Sequence, residues 1–123
     1  MGKAKDVNPE TAYAMAKKGT LIVDVRENRE VEQMAFDVPN VLVVPLSRLE
    51  SRISEIPMKQ KVIVACRSGN RSAMAARMLT SRGYSQVLNL QSGISGWARG
   101  GFPIRQAQKQ PPLAWLKKML GMG

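Results

Sequence analysis

The chain has no histidine. That excludes a Ser-His-Asp triad, a Cys-His nucleophile pair and a zinc site built on imidazole. It has one cysteine, Cys66, so no internal disulfide can form, and a reducing compartment suits it. Aromatic residues are only 5% of the 123, and no nucleic-acid motif accompanies the net charge of +10, so nucleic acid is not expected as a partner. No apolar stretch approaches the ~20 residues of a membrane span. The opening MGKAKDVNPE is polar without a secretory core, and Asp6 stands where a myristoylation signal needs Ser or Thr. A cytoplasmic location is the expectation. Acids are missing from the later part of the chain. All nine lie in residues 1–55 beside eight bases, whereas residues 56–123 hold eleven Lys or Arg and no acid. That later part should attract anions. With these absences, chemistry is left to a thiolate, arginines, carboxylates and backbone dipoles.

What is present is KVIVACRSGNRS at 61–72. The apolar run Val62–Ala65 reads as a buried strand that ends at Cys66. Arg67, Ser68, Gly69, Asn70 and Arg71 follow, and Ser72 is expected to open a helix. Gly69 and Asn70 tolerate left-handed backbone, so the loop can turn its N–H groups inward as an anion nest. The helix adds its positive end, and two guanidiniums flank the thiol. A free thiol titrates near ~8.5, and such surroundings lower it to between about 3.5 and 7.5. Cys66 is the candidate nucleophile. The competing reading is a cysteine that serves as a small buried hydrophobe.

Strands are expected over 20–25, 41–44, 61–65 and 86–90, and helices over 9–18, 27–34, 48–55 and 72–82. Asn8 and Pro9 supply the N-cap and first position of the first helix, and Gly19 its stop. Residues 91–104, around Trp97, read as a Gly-rich segment whose glycines serve turns, with Trp97 as core. The alternation predicts an α/β fold with a mainly parallel sheet. Ligands of such sheets bind at the strand carboxyl ends. Asp24 and Arg26 end one strand and Cys66 ends another, so parallel strands would bring all three to one edge.

These segments resemble the rhodanese sulfurtransferase family. The loop resembles its active-site loop, LIVDVRE at 21–27 its strand with Asp-x-Arg, VVPLSRL at 43–49 its Pro-containing stretch, and SGISGWARGGFPI at 92–104 its Gly-Trp-Gly signature. MAFDVPNV at 34–41 departs from the family pattern. The resemblance implies a rhodanese-like α/β domain over 1–104, with about five mainly parallel strands and helices on both faces. It implies that Cys66 takes the outer sulfur of a small anionic donor such as thiosulfate as a persulfide, and that cyanide or a thiol, on a small molecule or a protein, removes it. Arg67 and Arg71 would hold the donor, the loop from Ser68 to Ser72 would hold the persulfide, and Asp24 and Arg26 would brace the loop. Neither cofactor nor metal is implied. Turnover needs an external acceptor, because no second cysteine can resolve the persulfide.

Two rivals stand beside this. A sulfur carrier would accept sulfur and hand it on without multiple turnover. A cysteine phosphatase resembles the loop less well, since its pattern wants five residues between Cys and Arg and four intervene here. Residues 105–123 form a basic tail interrupted by Pro111-Pro112. There Leu113, Leu116, Met119 and Leu120 could line a short amphipathic helix that packs back, self-associates or, as a minor alternative, touches a membrane surface.

Overall fold

The computed structural model describes residues 4–107 and Gly121. Its elements run β1 (Lys5–Val7), α1 (Pro9–Lys17), β2 (Leu21–Asp24), α2 (Asn28–Gln33), β3 (Met34–Phe36), β4 (Val41–Val43), α3 (Leu49–Arg52), β5 (Val62–Ala65), α4 (Asn70–Ser81), β6 (Val87–Leu90), α5 (Gly93–Arg99) and β7 (Ile104–Gln106). Short 3₁₀ turns at Leu46–Arg48 and Ile53–Glu55 flank α3, so the helix expected over 48–55 is broken into three pieces.

Five strands form the central sheet in the order β1-β6-β5-β2-β4, and each neighbouring pair is parallel. Helices cover both faces, as expected. The middle strand β5 is buried along its length, which is why it reads as an unbroken apolar run. Side chains alternate across it. Val62 and Val64 join Val23, Val25, Ala75, Ala76 and Leu79 in the aliphatic core beneath α3 and α4. Ile63 and Ala65 face the other way, toward Ala12, Ala16, Phe36, Ile94 and Trp97 beneath α1 and α5. Cys66 continues the even-numbered set and belongs to the α4 face.

Local chemistry sets the helix ends. Asn8 Oδ1 accepts from the Thr11 amide at 2.8 Å and caps α1. Gly69 has φ 108° and precedes Asn70 as the N-cap of α4. The helix therefore begins at Asn70 and not at Ser72, and Asn70 is helical rather than left-handed.

Other elements carried no sequence signal. β1 is a three-residue edge strand with two charged side chains, and β3 and β7 form a small antiparallel pair of their own. β3 is built from part of the atypical stretch 34–41. The supposed turn segment after residue 91 contains α5. Gly101 serves a turn as expected, with φ 81°, but two others answer packing: a Cβ on Gly93 would collide with the backbone of Cys66 and Arg67, and one on Gly96 with the Ser92 side chain. Trp97 is fully buried, donates from Nε1 to the Pro103 carbonyl at 2.8 Å, and meets Phe36 and Tyr13 edge-on at 5.1 and 5.7 Å. β7 carries pairing to Gln106, past the boundary expected at 104, and the expected amphipathic tail helix lies outside the described residues. Among the described residues no helix is long and apolar enough to cross a membrane.

Candidate active site

Parallel strands place the carboxyl ends of β2 and β5 side by side. Asp24 is in register with Ala65, and the Val25 amide donates to the Ala65 carbonyl at 2.9 Å. Asp24, Arg26 and Cys66 thus share one edge of the sheet.

Residues 66–69 curl between β5 and α4. The Gly69 amide donates to Cys66 Sγ at 3.0 Å, and the Ser72 hydroxyl lies 3.3 Å from the same sulfur. Burial pushes the Cys66 thiol up. Hydrogen bonds from the Ser72 hydroxyl and from the amides of Ser72, Gly69 and Ser68 pull it down and prevail, so its pKa falls below the ordinary value. The sulfur is inside the protein, with Cys66 only 1% exposed, yet it faces dipoles as well as hydrocarbon.

The floor of the loop rests on α5. Ile94 and Ser95 amides donate to the Cys66 and Arg67 carbonyls at 2.9 and 3.1 Å. These are orphan donors at a helix start, and they fix the loop while its own amides turn toward sulfur. Only glycine at position 93 allows the helix to come this close.

Two ion pairs stand further out. Arg26 donates from Nη2 to Asp24 Oδ2 at 2.7 Å and from Nε to Oδ1 at 3.0 Å, with both side chains almost fully buried. The same guanidinium reaches the carbonyls of Met34 and Glu30 at 2.9 and 3.3 Å, which ties the end of β2 to α2 and β3. Arg71, expected to hold the donor, instead grips Glu30 with both amino groups at 2.7 Å each. The Glu30 carboxyl is held at about 2, chiefly by that Arg71 pairing, and Arg71 is raised in turn, chiefly by Glu30. Arg71 therefore braces α2 against α4. Arg67 is exposed, and Ser68 and Asn70 are exposed as well.

A cleft of about 490 Å³ opens beside the loop between α2 and α5, lined among others by Glu30, Met34, Arg67, Ile94, Ser95 and Arg99. A cavity of about 530 Å³ lies at the amino ends of β1, β5 and β6, near Lys5, Lys61 and Gln86, away from the thiol. Among the described residues no group of three or more Cys, Asp or Glu is placed to hold a metal ion.

Sequence reasoning missed Glu30, Asn89, Gly93 and Arg99. Gly93 alone leaves a signal, as a glycine just after a strand, and a turn is the ordinary reading of that signal.

The family model described as Rhodanese-like domain matches residues 8–100. The chain belongs to the rhodanese-like family. It is 44% identical over 84 residues to a protein named Sulfurtransferase from Allochromatium vinosum, covering 68% of this chain and 77% of that one. To the Thiosulfate sulfurtransferase GlpE of Haemophilus influenzae it is 30% identical over 107 residues, covering 84% and 96%. To the Putative sulfur carrier protein YrkF of Bacillus subtilis it is 37% identical over 76 residues, which is 62% of this chain but only 40% of that longer protein. A solved rhodanese-related protein from Thermoplasma volcanium superposes with a TM-score of 0.73 at 27% identity, covering 85% of this chain and 99% of that one. The rhodanese-like fold and the sulfurtransferase family are thereby shown.

Proposed function

We propose that this rhodanese-like domain moves a sulfane sulfur from an anionic donor such as thiosulfate to a nucleophilic acceptor through a persulfide on Cys66. The observation that carries the proposal is the Cys66 sulfur held by the Gly69 amide at the carboxyl edge of a parallel sheet. In the first step the thiolate attacks the outer sulfur of thiosulfate. The new S–S bond forms as the old one breaks, and its electron pair leaves with sulfite. The persulfide then carries one negative charge on its terminal sulfur. Cyanide or a thiolate attacks that sulfur, and the electron pair of the S–S bond returns to Cys66.

The chain's own residues supply three things. Amides of the loop stabilise negative sulfur in place of water. Arg67, which lines the cleft, attracts and orients the anionic donor. The buried Asp24–Arg26 pair and the Arg71–Glu30 pair keep the loop in shape. The lone cysteine leaves release to an external acceptor, a small thiol or a partner protein, and suits a cytoplasmic setting.

A thiosulfate:cyanide assay tests this. Thiocyanate should form with the parent protein and not with Cys66→Ser. Phosphatase activity on an aryl phosphate without sulfur transfer would overturn it. The similarity to a putative sulfur carrier favours a second reading, in which Cys66 is loaded and hands sulfur to a partner. Mass spectrometry separates the two: one added sulfur atom on Cys66, stable in excess cyanide, marks a carrier.

A further inference from the structure

Ser72 has more acceptors than it can serve. Its Oγ lies 3.3 Å from Cys66 Sγ, 3.2 Å from the Gly69 carbonyl and 2.5 Å from Asn89 Oδ1. A serine hydroxyl carries a single proton. Which acceptor receives it depends on Asn89, a residue of β6 that is only 7% exposed.

The orientation of the Asn89 amide follows from its surroundings. Its Nδ2 lies 3.1 Å from the Asp6 carboxylate and 3.4 Å from the Gly69 carbonyl. Both are acceptors, so the NH₂ group must face them, and the amide oxygen must face Ser72. The reverse orientation would set an amide oxygen against a carboxylate. With Asn89 held this way, the shortest of the three contacts draws the Ser72 proton away from the sulfur. While Cys66 is protonated, Ser72 then offers it a lone pair, and the hydrogen bond from Ser72 that favours the thiolate forms only when the hydroxyl turns back to the sulfur.

We propose that Asn89, oriented by Asp6, is a positioning residue that directs the Ser72 proton and thereby sets how readily Cys66 ionises. When Cys66 loses its proton to solvent, the Ser72 hydroxyl must rotate toward the sulfur. Its own proton stays on Oγ, and no proton passes between residues. The rotation leaves the buried Asn89 oxygen without that donor, and this cost opposes ionisation. The relevance to sulfur transfer rests on the Cys66 nucleophile proposed above, whereas the hydrogen-bond assignment does not.

Charged groups around the loop and Asn89 are Arg67 within the loop, Arg71 and Arg77 on α4, Glu30 on α2, Asp24 and Arg26 at the end of β2, Arg99 on α5, and Asp6 on β1 behind Asn89. Removing the Asp6 charge would by itself ease ionisation, so the test must separate charge from proton direction.

The test is the pH midpoint of Cys66 alkylation by iodoacetamide, clean because Cys66 is the sole cysteine. It is measured for Asp6→Ala and Asn89→Ala, each in the parent and in a Ser72→Ala background. The readout is the shift in the parent minus the shift in the Ser72→Ala background, which cancels any charge effect common to both. The expected difference is downward by roughly 0.5–1 pH unit. A difference of zero, or an upward one, overturns the proposal. Asp6 is exposed, so the Asp6→Ala cycle stands alone if Asn89→Ala fails to fold. Absence of sulfur transfer by the parent would count against the proposed function and leave this midpoint difference intact.

Discussion

On the α4 side of Cys66 the groups that reach the sulfur are neutral: the Gly69 amide at 3.0 Å and the Ser72 hydroxyl at 3.3 Å. Toward α2, four charges meet and cancel in two pairs, Asp24 with Arg26 and Glu30 with Arg71. One side tunes charge with neutral dipoles, and the other spends its charges on geometry. The division has a physical reason. Amides anchored in backbone need no reorganisation when negative charge develops on sulfur. A guanidinium already bound by a carboxylate has little attraction left for a donor, but it locks two helices together. Among the described residues Arg67 is the loop arginine without a carboxylate partner, and it lines the cleft.

Removing the sulfur tests the neutral side most severely. Cys66→Ser should abolish thiocyanate formation while thermal melting, followed by circular dichroism, stays near that of the parent. Retained turnover would end the assignment. The charged side should answer in stability. Asp24→Ala leaves the buried Arg26 without its carboxylate, and urea unfolding should show a loss of about 3–5 kcal/mol. A loss below about 1 kcal/mol would make this pair no stronger than a surface one.

Arg67→Ala should raise the KM for thiosulfate about threefold to tenfold with little change in melting, the opposite pattern to Asp24→Ala. In the parent the same weakening should appear at ~1 M salt, where screening shortens the field to about 3 Å. Equal KM values for parent and variant across ionic strengths would remove Arg67 from donor capture.

The smallest effect concerns Glu30. Its folded pKa, about 2, lies below its ordinary value of 4.5, so the stabilisation it brings is present above pH 4.5 and disappears as pH falls through about 2. Unfolding of parent and Glu30→Gln should therefore differ by a constant amount above pH 4.5 and converge toward pH 2. A difference that persists at low pH would show that the brace is not an ion pair.

The placement of Cys66 between a strand and a helix was legible because its cues are local. An apolar run, a cysteine and a glycine within four residues describe a strand, a turn and a helix start. The strands β2, β4, β5 and β6 were legible for the same reason, as compact apolar runs. β1, β3 and β7 were not, because three-residue strands that pair at edges have no period to read. The pairing of Arg71 was not legible, since Glu30 lies 41 residues away and shares no motif with it. The packing constraint on Gly93 was not legible because the backbone of Cys66 and Arg67 reaches it only through space.

By itself, the sequence determined that any nucleophilic thiol had to be Cys66, that histidine could not assist it, and that it followed a buried strand. Composition and periodicity are properties of the chain alone. Only the tertiary structure decided which loop arginine pairs with a carboxylate, which amides meet the sulfur, and that Asn89 and Asp6 stand behind Ser72. Those depend on distances of a few ångströms between residues far apart in the chain, and distance enters only once the strands have paired.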